Sequence, residues 1–251
     1  MSATDKLRRT MYYPGFCLGL SKNSFLRETL VFKGGTVLKK AYFDDYRFSE
    51  DLDFTLLQGT CTNDQILDAF HSLFEFVKEA SNIDLRIDPK KSKQYGSLQF
   101  YIDYVAPLKG SLGSRDLKID ITRGEILETP VETISIFRNY SDLSEDFTLY
   151  CYSLAEVLIE KLVALIGRTE PRDLYDIWYL TEVAGLKVSD VWSSFLSKAI
   201  NKGQDPNRIK EVLLKKETAF RRDWDKKLAA QIHDLPDYER VYRGVKRQIS
   251  F

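Results

Sequence analysis

The chain is poor in the residues that most often carry chemistry on their own. It has three cysteines (Cys17, Cys61 and Cys151) and two histidines (His71 and His233) in 251 residues. An odd number of cysteines without metal-ligand spacing excludes a disulfide-built scaffold and fits a reducing compartment. Two histidines far apart in sequence offer little for a zinc site or a histidine-based triad. Neither sign of charge is in excess: 37 Lys+Arg balance 37 Asp+Glu. No global basic field therefore draws in nucleic acid, although a local basic surface stays open. No apolar run reaches the length of a membrane span, and the first residues lack the apolar stretch of a signal peptide. These absences point to a cytoplasmic protein. The HRD and DFG strings of protein kinases are missing too, and no internal repeat is visible.

What is present is a 43% hydrophobic content, enough to build one large domain or two modest ones. The most informative stretch is residues 32–54, FKGGTVLKKAYFDDYRFSEDLDF. A hydrophobic run leads into Gly34, Gly35 and Thr36, a short helical segment follows, and a polar link delivers the chain to Asp51-Leu52-Asp53-Phe54. Asp51 and Asp53, two apart in a strand, share a face, and Leu52 and Phe54 turn to the core. Carboxylates held side by side raise each other's pKa. A hard cation such as Mg²⁺ relieves that cost. Backbone amides near Gly34, Gly35 and Thr36 suit a phosphate, and Lys33, Lys39 and Lys40 add positive charge nearby. Phosphate beside Mg²⁺ suggests phosphoryl or nucleotidyl transfer.

Residues 117–122, LKIDIT, form the next informative strand. Leu117, Ile119 and Ile121 share one face, and Lys118, Asp120 and Thr122 the other. An isolated acid inside a sheet is costly unless paired or metal-bound, which makes Asp120 the natural third carboxylate. Glu125 follows just past the strand. Strands are also expected over 83–87 and 96–105, a helix from a cap at 62–64 to about 79, charged or glycine-containing turns at 89–93 and 107–115, and strand and loop over 126–149. Residues 1–23, interrupted by Pro14, Gly15 and Gly19, read as an irregular arm.

The second half reads as helical. Ser153 and Glu156 suggest a capping box. Leu154, Leu158, Leu162 and Leu165 stack on one side of the helix they open, with Ala155, Ile159 and Ile166 beside them. Lys161 lies among these apolar positions, either snorkelling to water or reaching a phosphate. Asp173 reads as a cap for the next helix, with Asp176 in its first turn. Arg168 and Arg172 suggest a basic rim, and Lys215-Lys216 and Arg221-Arg222 a solvated basic surface.

Two glycines, then DxD, then a lone strand aspartate form the pattern of the nucleotidyltransferase fold called polymerase-β-like. The strings at 32–54, LKIDITRGE at 117–125 and LAEVLIEKLVALIGRTEPRDLYDIWYL at 154–180 resemble the AbiEii/AbiGii family of nucleotidyltransferase toxins. The resemblance implies an α+β fold, a mixed sheet with flanking helices followed by a C-terminal helical domain. It divides the chain into a nucleotidyltransferase core with a short N-terminal arm (1–149) and a helical domain that completes the active site (150–251). It implies that Gly34, Gly35 and Thr36 hold nucleotide phosphates, that Ser49, Asp51 and Asp53 form the first acidic motif, and that Asp120 with Lys118 forms the second. It places Lys161 on the triphosphate and Asp173 or Asp176 as the acid after it. Asp51, Asp53 and Asp120 then hold Mg²⁺, with an NTP as substrate and the 3′ end of tRNA as acceptor, so that translation is blocked. A protein or small-molecule hydroxyl as acceptor, or a non-enzymatic nucleotide-binding module, are the alternatives. The family belongs to type IV toxin–antitoxin systems that act in abortive infection against phage. The implied partner is a cognate antitoxin of the transcriptional-regulator type, and no membrane is involved.

Overall fold

A computed structural model describes residues 15–49, 51–57, 61–81, 83–88, 97–105, 116–137 and 146–250. The turns expected at 89–93 and 107–115 lie outside the described residues. The chain forms two units. One comprises the residues up to Asp45, Ser49–Glu125 and Val131–Cys151; the other comprises Tyr46–Phe48, Ile126–Pro130 and Tyr152–Phe251.

The first unit is built on a seven-stranded mixed sheet. Its strands are β1 (Leu30–Lys33), β2 (Leu52–Leu56), β3 (Asp84–Ile87), β4 (Ser97–Val105), β5 (Asp116–Thr122), β6 (Glu132–Ser135) and β7 (Thr148–Cys151). They lie in the order β3-β4-β5-β2-β1-β7-β6. β2 runs antiparallel to β1 and parallel to β5. Period-2 alternation gives the sheet one apolar face. On it Phe32, Phe54, Ile121 and Leu98 stand in one cross-strand row, and Leu52, Ile119 and Phe100 in the next. All seven are buried.

Helices α1 (15–22), α2 (Ser24–Thr29) and α4 (Asn63–Ser81) accompany this sheet, and α3 (Gly34–Val37) runs on through a wider turn over Leu38–Tyr42. α4 starts on a reciprocal box. The Thr62 hydroxyl accepts from the Gln65 amide at 3.2 Å, and Gln65 Oε1 accepts from the Thr62 amide at 2.9 Å. Ile66, Phe70, Leu73, Phe74 and Val77 then bury the helix on one stripe. Phe70 meets Phe100 edge-on at 5.0 Å and stacks on Phe16 of α1 at 6.0 Å. The irregular arm expected from Gly15 and Gly19 is, in its described part, a helix with Phe16, Cys17, Leu18 and Leu20 buried. A Cβ on Gly19 would stand 3.0 Å from Leu73 and 3.3 Å from Val77, so the missing side chain marks a close helix approach rather than a break.

The second unit gathers α5 (Leu154–Gly167), α6 (Pro171–Trp178), α7 (Trp192–Asn201), α8 (Ile209–Leu228) and α9 (Tyr238–Gln248). α5 is its centre. Val157 and Val163 are buried as fully as Leu158, Ile159, Leu162 and Leu165, whereas Leu154, Ala155 and Ile166 are half-buried. The apolar surface is therefore wider than the expected stripe, because neighbours enclose the helix on several sides. The expected capping box is half made. Ser153 accepts from the Glu156 amide at 3.0 Å, but the Glu156 carboxylate goes elsewhere. It pairs with Lys198 at 2.6 Å and accepts from the amides of Glu128 and Thr129 at 3.0 and 2.8 Å. Lys198 also donates to the Ile126 carbonyl at 2.9 Å. The segment 126–130 is thereby tied to α5 and α7 through an ion pair whose two side chains are each 1% exposed.

α8 supplies a second tie. The Lys216 ammonium donates to the carbonyls of Leu165, Ile166 and Arg168 at 2.8, 2.9 and 2.8 Å, closing the C-terminus of α5. Lys216 is thus a helix-end donor and not the solvated charge expected of it, whereas Lys215 pairs with Glu211 on the surface. α6 opens with Pro171 after Glu170, so Asp173 lies inside the first turn and not at the cap.

Removing one partner of a buried ion pair leaves the other charge uncompensated. Lys198→Met is expected to destabilise the protein by about 3–5 kcal/mol in urea denaturation at neutral pH. Lys198→Met combined with Glu156→Gln, which removes the charge but keeps an acceptor for the Glu128 and Thr129 amides, is expected to recover part of that loss.

Candidate active site

The polar face of the first unit's sheet carries the acidic residues. Pairing sets Lys33 opposite Asp53, Asp53 opposite Asp120, and Asp120 opposite Gln99, so one row crosses β1, β2, β5 and β4. Directly paired residues point to the same face, with Cβ atoms about 5 Å apart. Asp51 stands one residue before β2, near enough to Asp53 to act on its ionisation. The sheet therefore brings Asp53 and Asp120 side by side on one face, and Asp51 acts on Asp53 from the residue before β2.

Gly34 sits against the acidic row. Its φ of +78° belongs to the left-handed region, and a Cβ there would meet Asp53 Oδ2 at 2.7 Å. Only glycine fits both conditions. α3 opens at this residue, so the amides of its first turn lack intrahelical acceptors. Gly35 and Thr36 are buried. The Thr36 hydroxyl donates to the Asp51 carbonyl at 2.5 Å and lies 2.8 Å from the Ser49 hydroxyl. Thr36 and Ser49 thus fasten the chain just before β2, fixing where Asp51 leaves it.

The electrostatics of this face are unbalanced. Burial, then Asp51, and further on Asp120, push the Asp53 carboxyl up to about 6, against Lys33 and Lys118. Lys118 lies 3.2 Å from Asp120 Oδ2. Burial works against its ammonium, but the bond to Asp120 prevails and raises its pKa. Among the described residues no three histidine, cysteine, aspartate or glutamate side chains are drawn into a ready-made metal site. The donor set nevertheless fits a hard divalent ion. It consists of carboxylate oxygens, and the register that sets Asp53 beside Asp120 gathers negative charge that a cation would relieve.

Lys161, Asp173 and Asp176 come together within the helical unit. The Lys161 ammonium is buried, 2.6 Å from Asp176 and 3.1 Å from Asp173, and so does not snorkel. Arg168 grips Asp173 at 2.6 and 2.9 Å. Arg47 makes a bidentate pair with Asp176 at 2.5 and 2.7 Å, and the Tyr46 hydroxyl donates to the same carboxylate at 2.6 Å. Burial would raise the Asp176 pKa, but Arg47 and Lys161 overturn this and hold the carboxyl well below the usual range. Asp173 is likewise lowered against its burial, by Lys161 and then Arg168. Nothing in the sequence marks Arg47 and Tyr46 as partners of this group. A lone arginine in a polar link gives no sign of a carboxylate 129 residues away. Arg172 is half-buried and Arg168, although exposed, is spent on the buried Asp173, so the expected basic rim is in part an ion pair. Cys17 is buried and its thiol is pushed up to about 12, in keeping with an inert residue. Lys40 is buried as well, and burial lowers its pKa.

The fold recurs in solved structures. JHP933 from Helicobacter pylori superposes with a TM-score of 0.60 at 19% identity, covering 99% of this chain and 91% of that one. MenT4, a nucleotidyltransferase toxin from Mycobacterium tuberculosis H37Rv, superposes with a TM-score of 0.54 at 16% identity, covering 100% and 89%. The architecture is thus that of a nucleotidyltransferase, an α+β fold with a mixed sheet and a helical C-terminal part. No curated protein sequence matches the chain. The family model described as nucleotidyl transferase AbiEii toxin, type IV toxin–antitoxin system, matches residues 19–244, and the chain belongs to that family. The protein is accordingly a nucleotidyltransferase of the toxin class. Among the described residues no helix is long and apolar enough to cross a membrane.

Asp53 supplies a stability test. Its native pKa near 6 exceeds the ordinary 3.8, so between these values the native state holds a proton that the unfolded chain has released. Stability contributed at this site therefore falls as pH rises from about 4 to about 6. In chelator, Asp53→Asn is expected to abolish that fall and to be more stable than wild type at pH 7 by about 3 kcal/mol. Urea denaturation across this pH range measures it. Gly34→Ala is expected to lose transfer activity and to cost at least about 1–2 kcal/mol of stability from the left-handed backbone alone.

Proposed function

We propose that the protein moves a nucleotide from an NTP to the 3′ end of tRNA and thereby blocks translation, with Asp51, Asp53 and Asp120 holding Mg²⁺. The observation that carries this reading is the register that sets Asp53 beside Asp120, with Asp51 close enough to raise the Asp53 pKa. The acceptor hydroxyl oxygen attacks the α-phosphorus, the bond from that phosphorus to the bridging oxygen breaks, and pyrophosphate leaves. Asp120 takes the hydroxyl proton, and Lys118, now 3.2 Å from it, holds the carboxylate in place. Bound divalent cations supply charge neutralisation at the phosphates and activation of the attacking oxygen. The backbone at Gly34, Gly35 and Thr36 receives phosphate oxygens, and Ser49 and Thr36 keep Asp51 in line. Lys161 is the helical unit's proposed cation for the triphosphate. Asp173 and Asp176 fix where its ammonium stands, as positioning residues rather than proton carriers.

The family carries an antitoxin partner by its class. We propose that it is a transcriptional regulator, that the pair acts in the cytoplasm, and that its setting is abortive infection against phage. Local cations rather than net charge then serve an RNA acceptor, since the whole chain is neutral.

The test is incubation of the purified protein with Mg²⁺, each labelled NTP in turn and total cellular RNA, with Asp51→Ala as control. Label on tRNA with wild type, lost on the order of 10³-fold in the variant, is the expected result. Label on protein or a small molecule redirects the acceptor. Bound nucleotide with no label on any acceptor favours a binding module. In calorimetry, Lys161→Met is expected to weaken NTP binding by about tenfold or more, the loss of one charge-assisted contact. Unchanged affinity would remove Lys161 from the site.

A further inference from the structure

Beside the acidic row stands a cation that the mechanism above leaves idle. Lys33 ends β1 immediately before Gly34, and its partner across the β1–β2 pairing is Asp53. Its ammonium nevertheless reaches Thr122 Oγ1 at 3.0 Å and lies 4.0 Å from a Glu125 carboxylate oxygen. Thr122 belongs to β5, on the far side of β2, two residues beyond Asp120 and on the same face. Neighbouring strands lie about 4.8 Å apart. The lysine stem therefore lies across the polar face of β2, alongside the Asp53 side chain. Lys33 and Glu125 are 11% and 5% exposed. Taking such a pair out of water is expensive, and the run Leu-Val-Phe before it would continue more cheaply with another apolar residue.

We propose that Lys33 is a positioning residue that acts through Asp53: it stands in for cation charge while the acidic face is empty, and so makes divalent-ion binding depend on the nucleotide. The proposal rests on the metal reading of Asp51, Asp53 and Asp120. A fixed ammonium beside Asp53 repels an arriving ion, so carboxylates alone hold that ion weakly. An incoming triphosphate adds negative charge and oxygen ligands and tips the balance. Glu125 and Thr122 keep the ammonium in place and set how strongly it acts, and Lys118 plays the corresponding part at Asp120. An ion that enters only with its nucleotide leaves the site unmetallated between turnovers.

The test is calorimetric titration of the full chain with Mn²⁺ alone, and with Mn²⁺ plus a non-hydrolysable NTP analogue. Lys33→Gln is expected to bind Mn²⁺ alone about tenfold more tightly than wild type, because one repelling charge is gone. The gain from nucleotide is expected to shrink accordingly, and Lys33→Arg to behave as wild type. Glu125→Gln acts in the opposite sense, weakening Mn²⁺ binding severalfold by leaving Lys33 uncompensated. A purely structural lysine would give weaker or unchanged Mn²⁺ binding in Lys33→Gln, and either result overturns the proposal. Should Lys33→Gln fail to fold, Lys33→Gln combined with Glu125→Gln decides: tighter binding of Mn²⁺ alone than in Glu125→Gln supports the proposal, and equal or weaker binding overturns it. Wild type that takes up no Mn²⁺ even with nucleotide overturns the metal reading and this proposal together. Uptake by wild type that neither substitution alters overturns this proposal alone.

Discussion

The parallel pairing of β2 with β5 is the constraint on which the acidic face depends. It sets Leu52 beside Ile119, Asp53 beside Asp120 and Phe54 beside Ile121. A slip of one residue would turn every acid into the core and every core residue into the polar face. The four apolar partners are 0–2% exposed. Each contributes about 1.5–3 kcal/mol by its burial. Together they outweigh the repulsion between neighbouring carboxylates by a wide margin. The core thus enforces an arrangement that the charges themselves resist.

The two groups of acids are handled in opposite ways. In the helical unit Asp176 accepts from Arg47, Lys161 and Tyr46, and Asp173 from Lys161 and Arg168. Both are held below the usual carboxylate range despite full burial. Such matched groups have little left to offer a ligand directly and serve best as a mould around Lys161. Asp53 is the reverse case. Burial first, and then Asp51, raise its pKa against the pull of Lys33 and Lys118. A carboxyl perturbed in that sense is the opposite of the matched pairs around Lys161.

Much of this was legible in the chain itself. The alternation in residues 51–54 and 117–122 announced two half-buried strands, because side-chain period reports the face directly. The same logic could not say that the two strands are neighbours, since pairing between distant segments leaves no local trace. The glycine at position 34 was readable as a close approach, but not as an approach to Asp53. Gly19 reads locally as a break because the reason for it, a helix that must come near, lies in α4, far along the sequence. Lys216 and Glu156 show the same limit. Both looked like ordinary surface or capping residues, and both are committed to backbone groups in distant segments. The charge of Lys33 is plain in the sequence, whereas its reach to Thr122 follows only from the sheet order.

The helical unit is not one uninterrupted length of chain. Tyr46–Phe48 belongs to it through Arg47 on Asp176 and the Phe48 amide on the Gln231 carbonyl. Ile126–Pro130 belongs to it through Lys198 and Glu156. The backbone therefore enters this unit three times, and a single cut after Cys151 would not yield two self-sufficient fragments. The N-terminal piece would expose Arg47 and the 126–130 segment without their partners. The C-terminal piece would carry Asp176 and Glu156 stripped of part of their hydrogen bonding. Complementation between such fragments, rather than independent folding of either, is the behaviour this threading of the chain dictates.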